Sequence, residues 1–186
     1  PDLYKTVFEG LKKCHLQKNL NGFTRLIVEK PIGNDLKSSR KLNKLLSSYF
    51  KEETIYRLDH YLGKETIQNI LTFRSTNPIF ESLMNNKFID HIQVTSSEDF
   101  GIKDRGGYYD SVGSLKDVGQ NHILQMLAFA LMDLPKTFTN KSITDSRFNL
   151  IKSLQPLPKK IVFGQYEGYQ NEKNVSPKSK TDTFFA

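Results

Sequence analysis

A single cysteine among 186 residues excludes an internal disulfide and a thiol-built zinc cluster, and sets the expectation of a reducing compartment. That residue, Cys14, reads as a small side chain on a helix face. No apolar run approaches the roughly 20 residues needed to cross a bilayer, and no charged-then-apolar leader opens the chain, so a soluble protein is expected. Neither a G-x-G-x-x-G turn nor a Walker-type lysine loop occurs. Internal repeats are missing, and so are basic runs interleaved with aromatics, which argues against a nucleic-acid surface. The formal net charge of +7 comes from lysines spread along the chain, a pattern suited to small anionic ligands or plain solubility.

What remains is the composition of an ordinary soluble domain, 37% hydrophobic and 25% charged, in a chain long enough to bury a core. Residues 2 to 18 place Leu3, Val7, Phe8 and Leu11 on one helical face, and Asn21-Gly22 stops that helix. Arg25 to Glu29 is a short apolar run rich in β-branched residues, suited to a strand buried on both faces of a parallel sheet. Asp35 caps a helix running to about Phe50, striped by Leu42, Leu45, Leu46 and Tyr49. Thr54-Ile55-Tyr56 follows as a second strand, completing a βαβ unit. The first helix is then the crossover from a strand that is not present, so the sequence is expected to begin partway through a domain.

Beyond residue 60 the pattern changes. A helix follows Gly63, Asn77-Pro78 breaks it, and Ile79 to Met84 is a further short helix. Ile89 to Glu98 alternates like a half-exposed antiparallel strand. Asp117 to Leu131 is the most hydrophobic helix, with Val118, His122, Gln125 and Phe129 on one stripe. Pro135 closes it, Ser146 to Leu154 is another helix, and Lys160 to Tyr166 is a strand. Glu167 to Lys180 reads as a mobile polar loop, and Thr181 to Ala186 opens a last strand.

The chemistry concentrates in Arg57-Leu58-Asp59-His60-Tyr61-Leu62-Gly63-Lys64-Glu65. A helix start offers unpaired N–H groups and a partial positive charge, and His60, Tyr61 and Lys64 add side-chain donors within five residues, a site suited to phosphate. Asp59 would repel that ligand unless turned to another partner, and a histidine from elsewhere is the natural one, because the carboxylate fixes its tautomer and raises its basicity. A capping or solvated Asp-His pair stands as the plain alternative. His122, a polar group in an apolar helix, is either a satisfied core histidine or that partner. Lys30-Pro31 is either a common loop pair or a lysine projecting beyond a strand's carboxyl end, the edge where open α/β sheets bind ligands. Glu98 is either a carboxylate at a strand tip placed for a ligand or a solvated strand end.

Four stretches carry a family resemblance: EKPIG at 29 to 33, RLDHYLGKE at 57 to 65, RGGYYD at 105 to 110, and KDVGQNHILQML at 116 to 127. With DLKSSRKLN at 35 to 43 and FGQY at 163 to 166, in this order, the chain resembles the glucose-6-phosphate dehydrogenases over nearly its whole length. The resemblance implies an α/β plus α+β fold: residues 1–59 as the C-terminal portion of a Rossmann-like coenzyme domain, and residues 60–186 as a partial β+α substrate and oligomerisation domain built on an antiparallel sheet. It makes His122 the general base and Asp59 its partner, with His60, Tyr61 and Lys64 on the phosphate of glucose 6-phosphate. Lys30 and Pro31 would lie between substrate and nicotinamide, and Glu98 and Asp117 on sugar hydroxyls.

The implied reaction is oxidation of glucose 6-phosphate to 6-phosphogluconolactone, the first step of the oxidative pentose phosphate pathway. NADP is the implied hydride acceptor, and no metal is called for. A cytoplasmic homo-oligomer is implied, with no nucleic-acid or membrane partner. Because the glycine fingerprint is missing, residues 1–186 alone are expected to be inactive. Gly119 departs from the family pattern, in which a larger apolar residue is expected, and is expected to loosen its helix while leaving the histidine's phase intact. Other readings are another nicotinamide-dependent sugar dehydrogenase sharing EKP, or a non-catalytic sugar-phosphate-binding module.

Overall fold

The computed structural model describes residues 3–16, 19, 21–33, 35–156 and 161–186. The chain divides into two compact units, Pro1–Asp59 and His60–Ala186.

In the first unit, helix α1 (Tyr4–Lys13) precedes strand β1 (Leu26–Val28), helix α2 (Leu36–Tyr49) and strand β2 (Ile55–Arg57). The strands pair in parallel with Leu26 opposite Ile55 and Val28 opposite Arg57, and α2 is the crossover. Asp35 starts α2 with a reciprocal capping box, its carboxylate accepting from the Ser38 backbone N–H at 2.7 Å, which satisfies orphan donors of the first turn. Phe8, Val28, Leu42, Leu46, Phe50 and Ile55 form the core of this unit.

Two expectations need correction here. Leu3 and Val7 are 74% and 50% exposed, so only Phe8 of the predicted α1 face is buried. The strand is also not covered on both faces, since Ile27 is 67% exposed, and its neighbour Tyr56 is exposed on the same side. Both discrepancies have one cause. Apolar composition marks residues able to pack, whereas burial requires a partner layer, and the described residues supply one on a single face of the β1–β2 pair.

The second unit begins with helix α3 (Glu65–Thr76) and continues with α4 (Pro78–Leu83), the one-turn α5 (Gly106–Tyr109), a nine-residue π-helix (Leu115–Ile123), α6 (Leu124–Leu131) and α7 (Asn140–Ser153). Strands β3 (Phe163–Gly164) and β4 (Phe184–Phe185) pair antiparallel. Leu71, Phe129 and Met132 form a core flanked by Leu62, Ile67, Ile70, Leu134, Ile143 and Leu150, which holds α3, α6 and α7 together. Arg74, almost fully buried, spans three elements: its guanidinium donates to both Glu81 carboxylate oxygens at 2.8 and 2.7 Å and to the Phe129 carbonyl at 2.9 Å.

Five differences from expectation concern this unit. Residues 89–98 form no strand among the described residues. Alternation alone does not make a ladder, whose stability comes from cross-strand pairing. The stretch from 167 to 180 is not a free loop. Tyr169 is 1% exposed and packs with Ile102, Tyr109 and Val175. Asp110 accepts from the Tyr169 phenol at 2.9 Å, the Ser176 N–H at 3.3 Å and the Ser179 hydroxyl. Ser179's bond, more than burial opposes it, holds the Asp110 carboxyl below its ordinary range, helped by the bonds from Ser176, Tyr169 and Thr181. Thirdly, the helix carrying His122 is not α throughout, because Leu115–Ile123 winds as a π-helix, closed by the Leu124 N–H donating to Gly119 O five residues back. The expected strand from 160 is shorter, with Lys160 outside the described residues, and α7 starts at Thr139's capping box rather than at Ser146.

Candidate active site

The turn from His60 to Lys64 closes through the Gly63 N–H to His60 O at 3.3 Å and the Lys64 N–H to Tyr61 O at 3.1 Å. Lys64 is then the N-cap of α3, with no side-chain capping bond. Leu62 points into the α3–α6–α7 core, and Gln68 donates its side-chain amide to Leu62 O at 3.2 Å. The apolar member of the motif is thus its anchor, and the polar members on either side are left outside that core.

Those members meet the π-helix. The Tyr61 ring stacks on the His122 imidazole, centroids 4.0 Å apart and planes at 16°. His60 stands edge-on to both, 4.8 Å from His122 and 5.0 Å from Tyr61. Lys64 Nζ lies 3.8 Å from the centroid of the Tyr61 ring, within cation–π range. His122 is 2% exposed whereas His60 and Lys64 are exposed. One cluster therefore offers an ammonium, a phenol and an imidazole at its open side and a second, enclosed imidazole behind them. All three groups at the open side can donate to an anion, while the buried ring has the restricted environment in which a proton acceptor can be held in one orientation.

Asp117, five residues before His122 on the same π-helix, is 2% exposed. It accepts from Arg105 and from the Tyr108 phenol, each at 3.4 Å. Burial, and after it the Asp117 charge, push the Tyr108 phenol above its ordinary pKa. Burial, then Asp117 and Asp182, raise Tyr109 to about 12. Both tyrosines stay protonated near neutrality, and Tyr108 serves as a donor to the carboxylate. The RGGYYD stretch is thus the floor beneath Asp117. Glu98 lies exposed on irregular chain rather than at a strand tip.

In the first unit, Lys30 and Asp59 each follow a paired strand by two residues, Lys30 after Val28 and Asp59 after Arg57. Because β1 and β2 are parallel and in register, both lie beyond the same carboxyl edge, where open α/β sheets bind their ligands. Both are half-buried, and the Lys30-Pro31 peptide bond is cis. A cation and a proline therefore stand at that strand edge. Arg57, which opens the motif, is occupied elsewhere: it donates to Asn43 Oδ1 at 3.1 Å and to Glu52 at 2.5 and 3.2 Å. That hydrogen bond holds the Glu52 carboxyl below its ordinary range.

Two carboxylates escaped sequence reasoning. Asp110 was visible inside RGGYYD but had no assigned partner, and Asp182 had no local signal at all, because its partners Ser114 and Leu115 lie 68 and 67 residues away.

Comparison with known proteins matches residues 1–69 to the family model described as glucose-6-phosphate dehydrogenase, NAD binding domain, and residues 71–186 to that described as glucose-6-phosphate dehydrogenase, C-terminal domain. A glucose-6-phosphate 1-dehydrogenase of Borreliella burgdorferi is 43% identical over 201 residues, covering 100% of the chain and 42% of the relative. The cytoplasmic glucose-6-phosphate 1-dehydrogenase 6 of Arabidopsis thaliana is 41% identical, covering 99% of the chain and 36% of its own length. A crystal structure of the Mycobacterium avium enzyme superposes with a TM-score of 0.90 at 36% identity, covering all of the chain and 40% of that one. A glucose-6-phosphate dehydrogenase in complex with its substrate glucose 6-phosphate gives 0.91 at the same identity, covering 100% of the chain and 40% of that structure. The chain thus spans about two fifths of the length of the relatives it matches. With a coenzyme-domain match running into a C-terminal-domain match and together accounting for nearly every residue, the chain belongs to the glucose-6-phosphate dehydrogenase family.

Proposed function

We propose that the complete protein carrying this chain oxidises glucose 6-phosphate to 6-phosphogluconolactone with NADP as acceptor, and that residues 60–64 and 117–122 hold the reacting sugar. The observation that carries this reading is the cluster in which Tyr61 stacks on a buried His122, His60 stands edge-on to both rings and Lys64 lies over the Tyr61 ring. The 6-phosphate sits on the His60, Tyr61 and Lys64 donors at the start of α3, where the helix dipole adds to their charge. Asp117 and Glu98 accept hydrogen bonds from sugar hydroxyls.

The bound coenzyme supplies the hydride acceptor. His122 takes the proton of the anomeric hydroxyl on an imidazole nitrogen as the hydride leaves C1, so the C1–H and O–H bonds break while the C1–O bond becomes the lactone carbonyl. Asp59 is its partner carboxylate, fixing the tautomer and stabilising the imidazolium that forms. General-base assistance of this kind is worth on the order of 10² to 10⁴ in rate. Lys30 and Pro31 stand between sugar and nicotinamide at the strand edge. Residues 1–59 are read as the end of the coenzyme domain and 60–186 as part of the substrate and oligomerisation domain of a cytoplasmic homo-oligomer.

Single-residue kinetics in the complete protein test the assignment. His122→Ala is expected to depress kcat by about 10²-fold or more with little change in KM, whereas His60→Ala chiefly raises KM. Near-normal turnover of the His122 variant would remove the base from the scheme. Equal turnover of free glucose and glucose 6-phosphate would instead favour a sugar dehydrogenase without phosphate selectivity.

A further inference from the structure

The helix that carries Asp117 and His122 is wound so that the two residues share a face. In an α-helix, residues five apart are about 140° apart around the axis. In a π-helix, with about 4.4 residues per turn, they are only about 50° apart. Asp117, Gly119 and His122 are the buried residues of this stretch. Under π winding, Gly119 lies roughly opposite Asp117 and well away from His122; under α winding it would lie about 60° from His122. π segments are uncommon and need support.

That support comes from the far end of the chain. The Ser114 hydroxyl donates to Asp182 Oδ2 at 2.5 Å, the Leu115 N–H donates to the same oxygen at 3.2 Å, and the Ser114 N–H donates to Asp182 O at 3.0 Å. Gly113, with φ of +78°, leaves no room for a β-carbon because the Asp182 carboxylate would lie 2.6 Å from it. Three residues on, the Phe185 ring fills the space over Gly119, where a β-carbon would meet its Cζ at 2.5 Å. The segment 182–185 thus grips the π-helix at its first turn and again at its middle.

We propose that Asp182 is a positioning residue, which through its bonds to Ser114 and Leu115 holds the helix in the π register that brings the sugar-binding carboxylate and the base onto one face. This rests on the functional reading above. It acts on the chemical step rather than on phosphate binding, because His60, Tyr61 and Lys64 belong to the turn before α3, which has its own core.

The test compares Asp182→Ala, Asp182→Asn and Ser114→Ala in the complete protein, reading kcat, KM and amide hydrogen exchange. Misplacing a catalytic group by an ångström costs about 10²-fold, so Asp182→Ala is expected to lower kcat by about that factor while KM for glucose 6-phosphate, which loses at most the Asp117 bond, rises by no more than about tenfold. Exchange at residues 115–123 should quicken by about tenfold or more, with residues 65–76 unchanged. Asp182→Asn, whose amide oxygen still accepts both bonds, should keep kcat within about threefold, and Ser114→Ala, which loses one bond of three, should fall between the two.

The proposal is overturned if Asp182→Ala leaves both kcat and exchange at 115–123 unchanged, or if both helices loosen together. Should Asp182→Ala not fold, Ser114→Ala decides in the same way, by selective or unselective loosening. A wild-type protein that does not oxidise glucose 6-phosphate would defeat the functional reading, and the exchange pattern would still decide whether the clamp sets the register.

Discussion

Gly119→Ala makes the packing over the π-helix measurable. Alanine in place of a helix-interior glycine ordinarily stabilises by about 1 kcal/mol. Here the added β-carbon would meet Phe185 Cζ at 2.5 Å, Phe185 Cε1 at 3.0 Å and Leu115 Cδ1 at 3.2 Å. The first distance demands movement. The backbone of Phe185 is fixed by its pairing with Phe163 in the β3–β4 ladder, so relief must come from rotation of its half-buried ring. Overpacking a filled site costs about 1–3 kcal/mol, so the net expectation is destabilisation by about 0–2 kcal/mol once the propensity gain is subtracted. Urea denaturation of the wild type, Gly119→Ala, Phe185→Ala and the double variant closes a thermodynamic cycle. The alanine at 119 should be harmful beside Phe185 and neutral or favourable beside Ala, with a coupling energy of about 1–3 kcal/mol. A Gly119→Ala protein more stable than wild type in the presence of Phe185 would show that the ring does not occupy that space. This accounts for the glycine in physical terms: the volume a larger apolar side chain would supply from the helix is supplied instead by Phe185 from the strand.

Arg74→Met should destabilise the protein by about 2–3 kcal/mol in urea denaturation, because it leaves the Phe129 carbonyl and the Glu81 carboxylate without their partner. Arg74→Lys should recover little of that loss, since one ammonium cannot serve three acceptors in a planar fork. The Asp110 carboxyl has a folded-state pKa below its ordinary 3.8. Its contribution is therefore complete above that value and is lost as pH falls below it through the folded pKa. Hydrogen exchange across residues 169–181 should quicken in that acidic window, and Asp110→Asn should abolish the dependence. Residues 1–186 purified alone should not reduce NADP with glucose 6-phosphate, and a measurable rate from them would refute the expectation drawn from the missing glycine fingerprint.

Local features with local causes were legible in the sequence. Asp35 as a helix cap and the leucine stripe of α2 are decided within a few residues, and the βαβ order follows from period and punctuation. From the sequence His122 was expected to meet Asp59, and its stacking on Tyr61, sixty-one positions earlier, had no local signal. What escaped were outcomes decided by distant partners. Residues 89–98 carry strand-like alternation but no ladder, and residues 167–180 carry loop-like composition yet are bound by Asp110 and a buried Tyr169. The π winding of Leu115–Ile123 was invisible for the same reason. Gly119 was noticed as an anomaly, but the ring that fills its space lies 66 residues later in the chain.

The binding and the chemistry proposed for the second unit rest on different supports. The donors proposed for the phosphate sit on a turn held by Leu62, by the α3–α6–α7 core and by the Arg74 bridge. Asp117 and His122 sit on a π-helix held at its start and middle by Asp182 and Phe185. The two supports are joined where the π-helix continues into α6, whose Phe129 belongs to the α3 core, and the groups they carry touch where Tyr61 and His60 pack on His122. A change in the 182–185 segment therefore reaches the enclosed imidazole without first disturbing the open donors. A change at Arg74 or Leu71 reaches both, because it shifts α3 and α6 together. The division matches what the chemistry requires: a phosphate tolerates small displacements among several mobile donors, whereas proton transfer at a single nitrogen does not. The less tolerant group is accordingly the more deeply buried one, and its helix is the one tied down by residues from a separate part of the chain.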